Sequence, residues 1–178
     1  MKKIIAFIIL IVSFQVKAQQ EKFISASIGY GLSSPYDEDT DVSGKGIYLQ
    51  GEYVMKFSKW IDVRPYAGLI FTESDPKEPD YEVYSKAFLI GGKLRLTIPI
   101  PLIAPYIEMG AGMSIAKFKT ITVSDNIDKS GAILHLPFSL GLQLGTTHKA
   151  DVAFTYYYHE SAQQFAGAVA IGILFPLD

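Results

Sequence analysis

The stretch LHLPFSLGLQLG, residues 134–145, alternates apolar side chains with polar or small ones. From Leu134 to Leu144, every second position is leucine or phenylalanine. A period of two is typical of a β-strand whose faces meet different surroundings, because successive side chains leave the pleated backbone on opposite sides. The stretch therefore predicts a strand with one strongly apolar face. Periodicity alone does not decide whether that face packs inside a soluble barrel or outside against lipid.

Seven other stretches alternate in a similar way, so the sequence predicts eight strands. Each is long enough to cross a bilayer at a tilt, which takes about 9–11 residues. Pro137 lies in the middle of one of them and predicts a bulge, because proline has no N–H to give to the ladder. The predicted strands are residues 23–33, 46–57, 61–72, 84–98, 106–120, 132–145, 151–159 and 165–175.

The composition fits a single β-rich domain of 178 residues, with 15 glycines, 11 phenylalanines and 11 tyrosines. The absence of cysteine excludes disulfides, thiolate metal sites and cysteine nucleophiles. No glycine motif that cradles phosphate and no histidine cluster with metal spacing occurs, so no cofactor is predicted. After residue 18 no run of eighteen apolar residues follows, so no transmembrane helix is predicted.

Residues 1–18 are predicted to be a signal peptide. Lys2 and Lys3 precede an apolar segment, and Val16 and Ala18 supply the residues expected before a cleavage site at Gln19. Residues 19–178 then form the predicted barrel domain. Removal of the leader leaves 13 basic against 18 acidic residues, a balance that argues against a nucleic-acid partner.

The face opposite the apolar one carries small residues in the first and last strands. A sheet surface that faced water would normally carry Lys, Glu and Thr, whereas rows of small residues suit a crowded barrel interior. We therefore expect the leucines to face lipid, which predicts an all-β, eight-stranded, antiparallel up-and-down transmembrane barrel. The small residues are Ser25, Ser27, Gly29, Gly31, Ala166, Ala168, Ala170 and Gly172.

The connections between the predicted strands alternate in length. The polar segments SPYDEDTDVSGK, ESDPKEPDYEV and VSDNIDKSG follow the first, third and fifth strands, and shorter links follow the second and sixth. The apolar link TIPIPLIAP follows the fourth strand and is predicted to be a turn at the membrane interface. Transmembrane barrels place long loops outside and short turns in the periplasm. We therefore expect a barrel in the outer membrane of a double-membrane bacterium, with both termini periplasmic.

Two segments resemble a known family. RPYAGLIF, residues 64–71, and APYIEMGAGMS, residues 104–114, are similar to the Pro-Tyr strand openings of small porin-like proteins of the outer membrane protein β-barrel domain family. The similarity covers about residues 23–178. It implies an eight-stranded outer-membrane barrel and no particular activity. The chain differs from many such barrels in its last residues, FPLD, because the final aromatic residue, Phe175, lies three positions before the end.

Charged residues collect on the lumen face, where four acids oppose four bases: Glu52, Asp62, Glu108 and Asp151 against Lys56, Arg64, Lys93 and Arg95. The same face carries the polar and aromatic residues Tyr48, Gln50, Tyr66, His135, Gln143 and Tyr157. These side chains could line a selective pore, or they could form a hydrogen-bonded plug, since eight strands enclose a space just wide enough for side chains. We favour the plug and a non-enzymatic structural, adhesive or surface-interaction role. We expect Glu52 to pair with Arg64 and Arg95 with Glu108, with Lys93 close by.

His159 and Ser161 suggest an enzymatic alternative. Their spacing resembles the His-x-Ser element of outer-membrane lipid A deacylases, in which histidine takes the proton of an attacking serine. Ala162 replaces the asparagine that follows in that family, and residues 166–175 supply no acidic partner. The simpler interpretation makes His159 a solvated residue near a loop.

Other hypotheses concern ligands and partners. The acidic run DEDTD, residues 37–41, could collect a divalent cation, but it lacks the glycine and the closing glutamate of an EF-hand loop, so no metal site is predicted. A soluble exported lipid-binding barrel with inverted faces is a third class. The expected partners are outer-membrane lipid, lipopolysaccharide and the barrel-assembly machinery, and the expected state is a monomer.

Overall fold

The computed structural model describes residues 21–35, 44–74, 82–121, 126–159 and 164–177, and these residues form eight strands. The described residues contain no helix long and apolar enough to cross a membrane. The strands are β1 (Lys22–Pro35), β2 (Gly44–Lys56), β3 (Ile61–Ser74), β4 (Glu82–Thr97), β5 (Ile103–Ile121), β6 (Asn126–Leu144), β7 (Ala150–His159) and β8 (Gln164–Pro176).

The strands form a closed antiparallel barrel in sequence order, with β8 pairing back onto β1. Following paired residues once around the barrel from Lys22 leads back to β1 at Leu32, ten residues further along the strand. This stagger tilts the strands by about 35–45° from the barrel axis. The predicted fold class is confirmed.

Burial alternates along the strands as the sequence predicts. On β6 the leucines at 134, 136, 140 and 142 are exposed, Leu134 to 78%, while His135, Ser139 and Gln143 between them are buried. Most of the small residues of β1 and β8 that were expected in the lumen are buried, among them Ser25, Gly31 and Ala168. The apolar face of the barrel therefore points outward, as a lipid environment requires.

Two strands run further than predicted. β5 and β6 each contain 19 residues, and their pairing continues to Ile121 and Asn126. Most of the segment VSDNIDKSG, which the sequence suggested as a long loop, therefore belongs to β6. The prediction failed because its polar residues obscure the alternation.

Pro137 does not create a bulge, so that prediction is wrong. The β5–β6 ladder stops at Met109 and Phe138 and resumes at Gly112 and His135 with its register unchanged. The β2–β3 ladder has the same kind of gap beside Pro65, between the pairs Glu52–Tyr66 and Met55–Val63. Each proline removes one N–H from one ladder, and the neighbouring pairs hold the register.

The two ends of the barrel are different. The connections 57–60, 98–102 and 145–149 lie at one end, here called the turn end, and both termini of the barrel lie there too. Leu177 N donates to Lys22 O at 2.9 Å, which joins the start of β1 to the residue that follows β8. The other four connections, 36–43, 75–81, 122–125 and 160–163, join strands at the opposite end, here called the loop end, and lie outside the described residues.

Exposed aromatic residues occur near both ends of the barrel. Phe57, Trp60 and Phe175 lie near the turn end, and Tyr30 and Phe71 lie nearer the loop end. Aromatic side chains are favoured at the interface between the hydrocarbon core of the membrane and the lipid headgroups. The two positions agree with the aromatic girdles expected for a transmembrane barrel.

Candidate functional site: the barrel lumen

Seven buried charged side chains occupy the turn-end half of the lumen. Alternation turns every second side chain of each strand inward, and the closed register brings residues from five strands to one level. The structure places all five predicted network residues here, together with two aspartates that the sequence also assigned to the lumen face. The seven are Glu52 from β2, Asp62 and Arg64 from β3, Lys93 and Arg95 from β4, Glu108 from β5 and Asp151 from β7.

Arg64 is wholly buried and joins two carboxylates. Its Nη1 lies 2.8 Å from Glu52 Oε2, and its Nη2 lies 2.9 Å from Asp62 Oδ2. Its Nε lies 3.9 Å from Glu108 Oε1. A planar guanidinium with several fixed donors suits this role, because it can serve several acceptors in a narrow space.

Lys93 and Arg95 complete the layer. Lys93 Nζ lies 2.5 Å from Glu52 Oε1 and 2.8 Å from Glu108 Oε2, so it bridges the two glutamates. Arg95 Nε lies 2.5 Å from Glu108 Oε1, and its Nη1 lies 3.1 Å from Asp151 Oδ2. Each carboxylate therefore meets at least one cation, which is the condition under which buried charges persist.

Tyr106 packs into the same layer. Its ring lies 3.5 Å from the guanidinium carbon of Arg95, a cation–π contact. Its cross-strand neighbour is Gly141, where an added Cβ would lie 2.3 Å from the tyrosine ring. The glycine is required here because the ring occupies the space of a side chain.

Little free space remains among these groups. The cavity lined by the charged residues, Tyr48, Gln50 and Tyr106 has a volume of about 20 Å³. A single water molecule needs about 10–15 Å³ in such a measure, so the cavity holds about one.

Uncharged side chains linked by hydrogen bonds extend the layer toward the loop end. Gln50 Nε2 donates to Glu52 Oε1 at 2.7 Å, and Tyr157 Oη donates to Gln50 Oε1 at 2.7 Å. Tyr157 and Tyr48 share a further hydroxyl contact at 2.9 Å. These residues come from strands far apart in sequence, and sequence reasoning assigned them to the lumen without predicting their contacts.

Four further side chains, a tyrosine, a histidine, a serine and a second histidine, form a hydrogen-bonded chain in the lumen. Tyr66 Oη contacts His135 Nε2, His135 Nδ1 lies 2.7 Å from Ser114 Oγ, and Ser114 Oγ lies 2.8 Å from His159 Nε2. Neutral imidazole has one donor and one acceptor nitrogen, so all three bonds are satisfied when the donors run in one direction along the chain. The chain needs no ionised group.

His159 does not lie in solvent, so that interpretation is wrong. The side chain has no exposed surface, because the ring turns into the lumen and meets Ser114. Ser114 is also wholly buried. A serine beside a histidine can act as a nucleophile, but no ester carbonyl reaches Ser114 unless the lumen opens. Ser161, the serine suggested by the sequence, lies outside the described residues.

The other residues that the sequence singled out lie outside the charged layer or outside the described residues. Lys56, assigned to the lumen face by sequence, is half-buried near the turn end, with its Nζ 4.4 Å from the centroid of the Phe23 ring. The acidic run 37–41 and the predicted signal peptide lie outside the described residues. Within the described part of the chain, no group of three or more His, Asp or Glu residues could hold a metal ion.

The closed eight-stranded antiparallel wall, apolar outside and polar inside, defines the small outer-membrane β-barrels. Solved structures of such barrels share this fold with the chain. Neisserial surface protein A superposes with a TM-score of 0.60 at 15% identity, over 88% of this chain and 97% of that one. Ail, the attachment invasion locus protein of Yersinia pestis, solved in complex with the heparin analogue sucrose octasulfate, gives 0.51 at 17%, over 90% and 100%.

The third structure is the outer membrane enzyme PagL, with a TM-score of 0.51 at 13% identity, over 87% of this chain and 99% of that one. No protein-family model and no curated protein matches the sequence. At these identities the likeness shows the fold. Because the fold carries both an enzyme and an attachment protein, activity has to be argued from the lumen.

Proposed function

We propose that the chain is a non-enzymatic integral outer-membrane barrel whose lumen is closed by its own charged side chains, and that it has a structural, adhesive or surface-interaction role. The observation that carries this proposal is the packing of seven charged side chains against one another, with five of them lining a cavity of only about 20 Å³. A pore needs a continuous path for water or ions. Here the ionic groups that could line such a path bind one another instead.

The enzymatic alternative has less support. Ser114 is a buried serine beside two histidines, but its hydroxyl is already engaged by both rings and has no exposed surface. The charged network binds its own members and leaves no general base open to a substrate. No contact among the described residues favours the deacylase over the plug.

The membrane surroundings follow from the outer face. Its exposed side chains are largely apolar, so we place lipid around the barrel wall and lipopolysaccharide near the loop end. A closed barrel has no free strand edge, which supports a monomer. Insertion would depend on the barrel-assembly machinery.

The proposed orientation puts the turn end and both termini in the periplasm. We expect a cysteine introduced at Asp39 in whole cells to react with an impermeant maleimide, and one at Thr147 to react only after the outer membrane is opened. The chain has no native cysteine, so each label reports one position. Lys59→Cys, in another connection of the turn end, is the matched control for Thr147→Cys. Labelling with the opposite pattern would overturn the orientation.

A further inference from the structure

A bowl of about 560 Å³ opens at the turn end, where the connections after β2, β4 and β6 meet. This volume falls within the range of small-molecule pockets, about 300–1,000 Å³. The bowl lies on the turn-end side of the charged layer and shares Asp62 with it. Its lining includes Glu21, Lys56, Lys59, Asp62, Gln143 and Thr147.

Gln143 provides the observation that points to a ligand. Its side chain is 5% exposed, and its amide nitrogen has no hydrogen-bond partner among the residues that the structure describes. A buried polar group without a partner costs free energy, so a donor of this kind in the wall of a pocket calls for an acceptor from outside. Water could supply one, and so could a carboxylate.

The charges of the bowl are mixed. Lys56 and Lys59 carry two positive charges, and Glu21 and Asp62 carry two negative ones. Asp62 binds Arg64 through Oδ2, which leaves the lone pairs of its second oxygen for another donor. A bare anion would be attracted by the two lysines but repelled by the two carboxylates. A zwitterion can satisfy both signs at once.

The rim of the bowl is held in place by its own hydrogen bonds. Gly145 N donates to Leu102 O at 2.8 Å, and His148 Nε2 donates to Ile100 O at 3.1 Å, so the second and third connections are tied together. Ser58 Oγ accepts from Trp60 N and Ile61 N, each at 3.1 Å, which fixes the first connection. A preformed pocket loses less entropy when it binds.

We propose that this bowl is a binding site for short zwitterionic peptides. The ligand carboxylate is held by the lysine ammonium groups and by the amide of Gln143, and the ligand ammonium group is held by Glu21 and Asp62. The proposal rests on the proposed function in one respect: the proposed orientation places the bowl in the periplasm, which would supply the ligand. The bowl itself would bind in either orientation.

The test is an NMR titration of the full mature protein in a non-ionic detergent, following the amide signals of Gly145 and Thr147. We expect saturable shifts with triglycine. N-acetyl-triglycine and triglycine amide, which each lack one charge, should bind at least about fivefold more weakly, and so should inorganic phosphate. Equal binding of the three tripeptides, stronger binding of phosphate, or no saturable shift with triglycine would overturn the proposal.

Two variants locate the site. Gln143→Met keeps the size of the side chain and removes the amide, and it should weaken triglycine binding by about tenfold, the usual effect of a lost hydrogen bond to a charged group. Lys59→Met, at an exposed position, should weaken it severalfold. Lys45→Met, near the loop end, is the control and should leave binding unchanged. Unchanged binding in both Gln143→Met and Lys59→Met would show that the peptide binds elsewhere and would overturn the proposed site. That result would not bear on whether the lumen is closed.

Discussion

We expect Arg64→Ala to lower the free energy of unfolding by about 3–5 kcal/mol. Arg64 is wholly buried and contacts the carboxylates of Glu52 and Asp62. Its removal leaves Asp62 without the only cation that binds it among the described residues, and a buried carboxylate without a partner is far more costly than a lost surface ion pair. Asp62→Asn combined with Arg64→Ala should recover part of the loss, because the amide carries no charge.

Urea unfolding in phospholipid vesicles measures this effect, with the fluorescence of Trp60, the only tryptophan, as the signal. Lys45→Ala is the matched control, since it removes an exposed cation and should change the free energy of unfolding by less than about 0.5 kcal/mol. A loss below about 1 kcal/mol in Arg64→Ala would mean that water reaches Glu52 inside the layer as well as Asp62 beside the bowl. The lumen would then be wetter than the structure indicates.

Leu140→Arg should destabilise the inserted barrel by about 2–4 kcal/mol. Leu140 points outward near the middle of the apolar band and is 49% exposed. In lipid, an arginine there loses its hydration, whereas the same outward face in water would carry it at almost no cost. The substitution therefore tests whether the outward face of the barrel meets lipid or water.

Leu144→Arg is the control for depth. Leu144 ends β6 beside the turn, where the new side chain can reach the headgroups, so the expected cost is about 0–1 kcal/mol. Both variants can be compared by urea unfolding in the same vesicles. Equal and small effects at the two positions would contradict a wall that faces lipid.

The sequence predicted the wall of the barrel better than its contents. Alternation needs only local sequence, and the face of β6 from Leu134 to Leu142 therefore pointed to its surroundings directly. The pairs Glu52–Arg64 and Arg95–Glu108 could also be anticipated, because a short turn joins the two strands of each pair and sets their register.

Contacts between distant strands could not be predicted in the same way. Arg95 meets Asp151 on β7, and Ser114 meets His159, each across strands that are not neighbours in the sheet. Such contacts depend on the stagger of the closed barrel, which no single strand encodes. The same limit explains Pro137, where the register of the neighbouring pairs outweighs the local preference of proline for a bulge.

The closed lumen is tested most directly by the electrical conductance of the purified, folded protein in planar bilayers. Because seven charged side chains bind one another and five of them enclose a cavity of only about 20 Å³, we expect no steady current above the bare membrane. An open eight-stranded or larger barrel of known conductance, inserted by the same procedure, shows that the assay detects a pore. Large, regular single-channel steps from the unmutated protein would contradict the plug and support a porin instead.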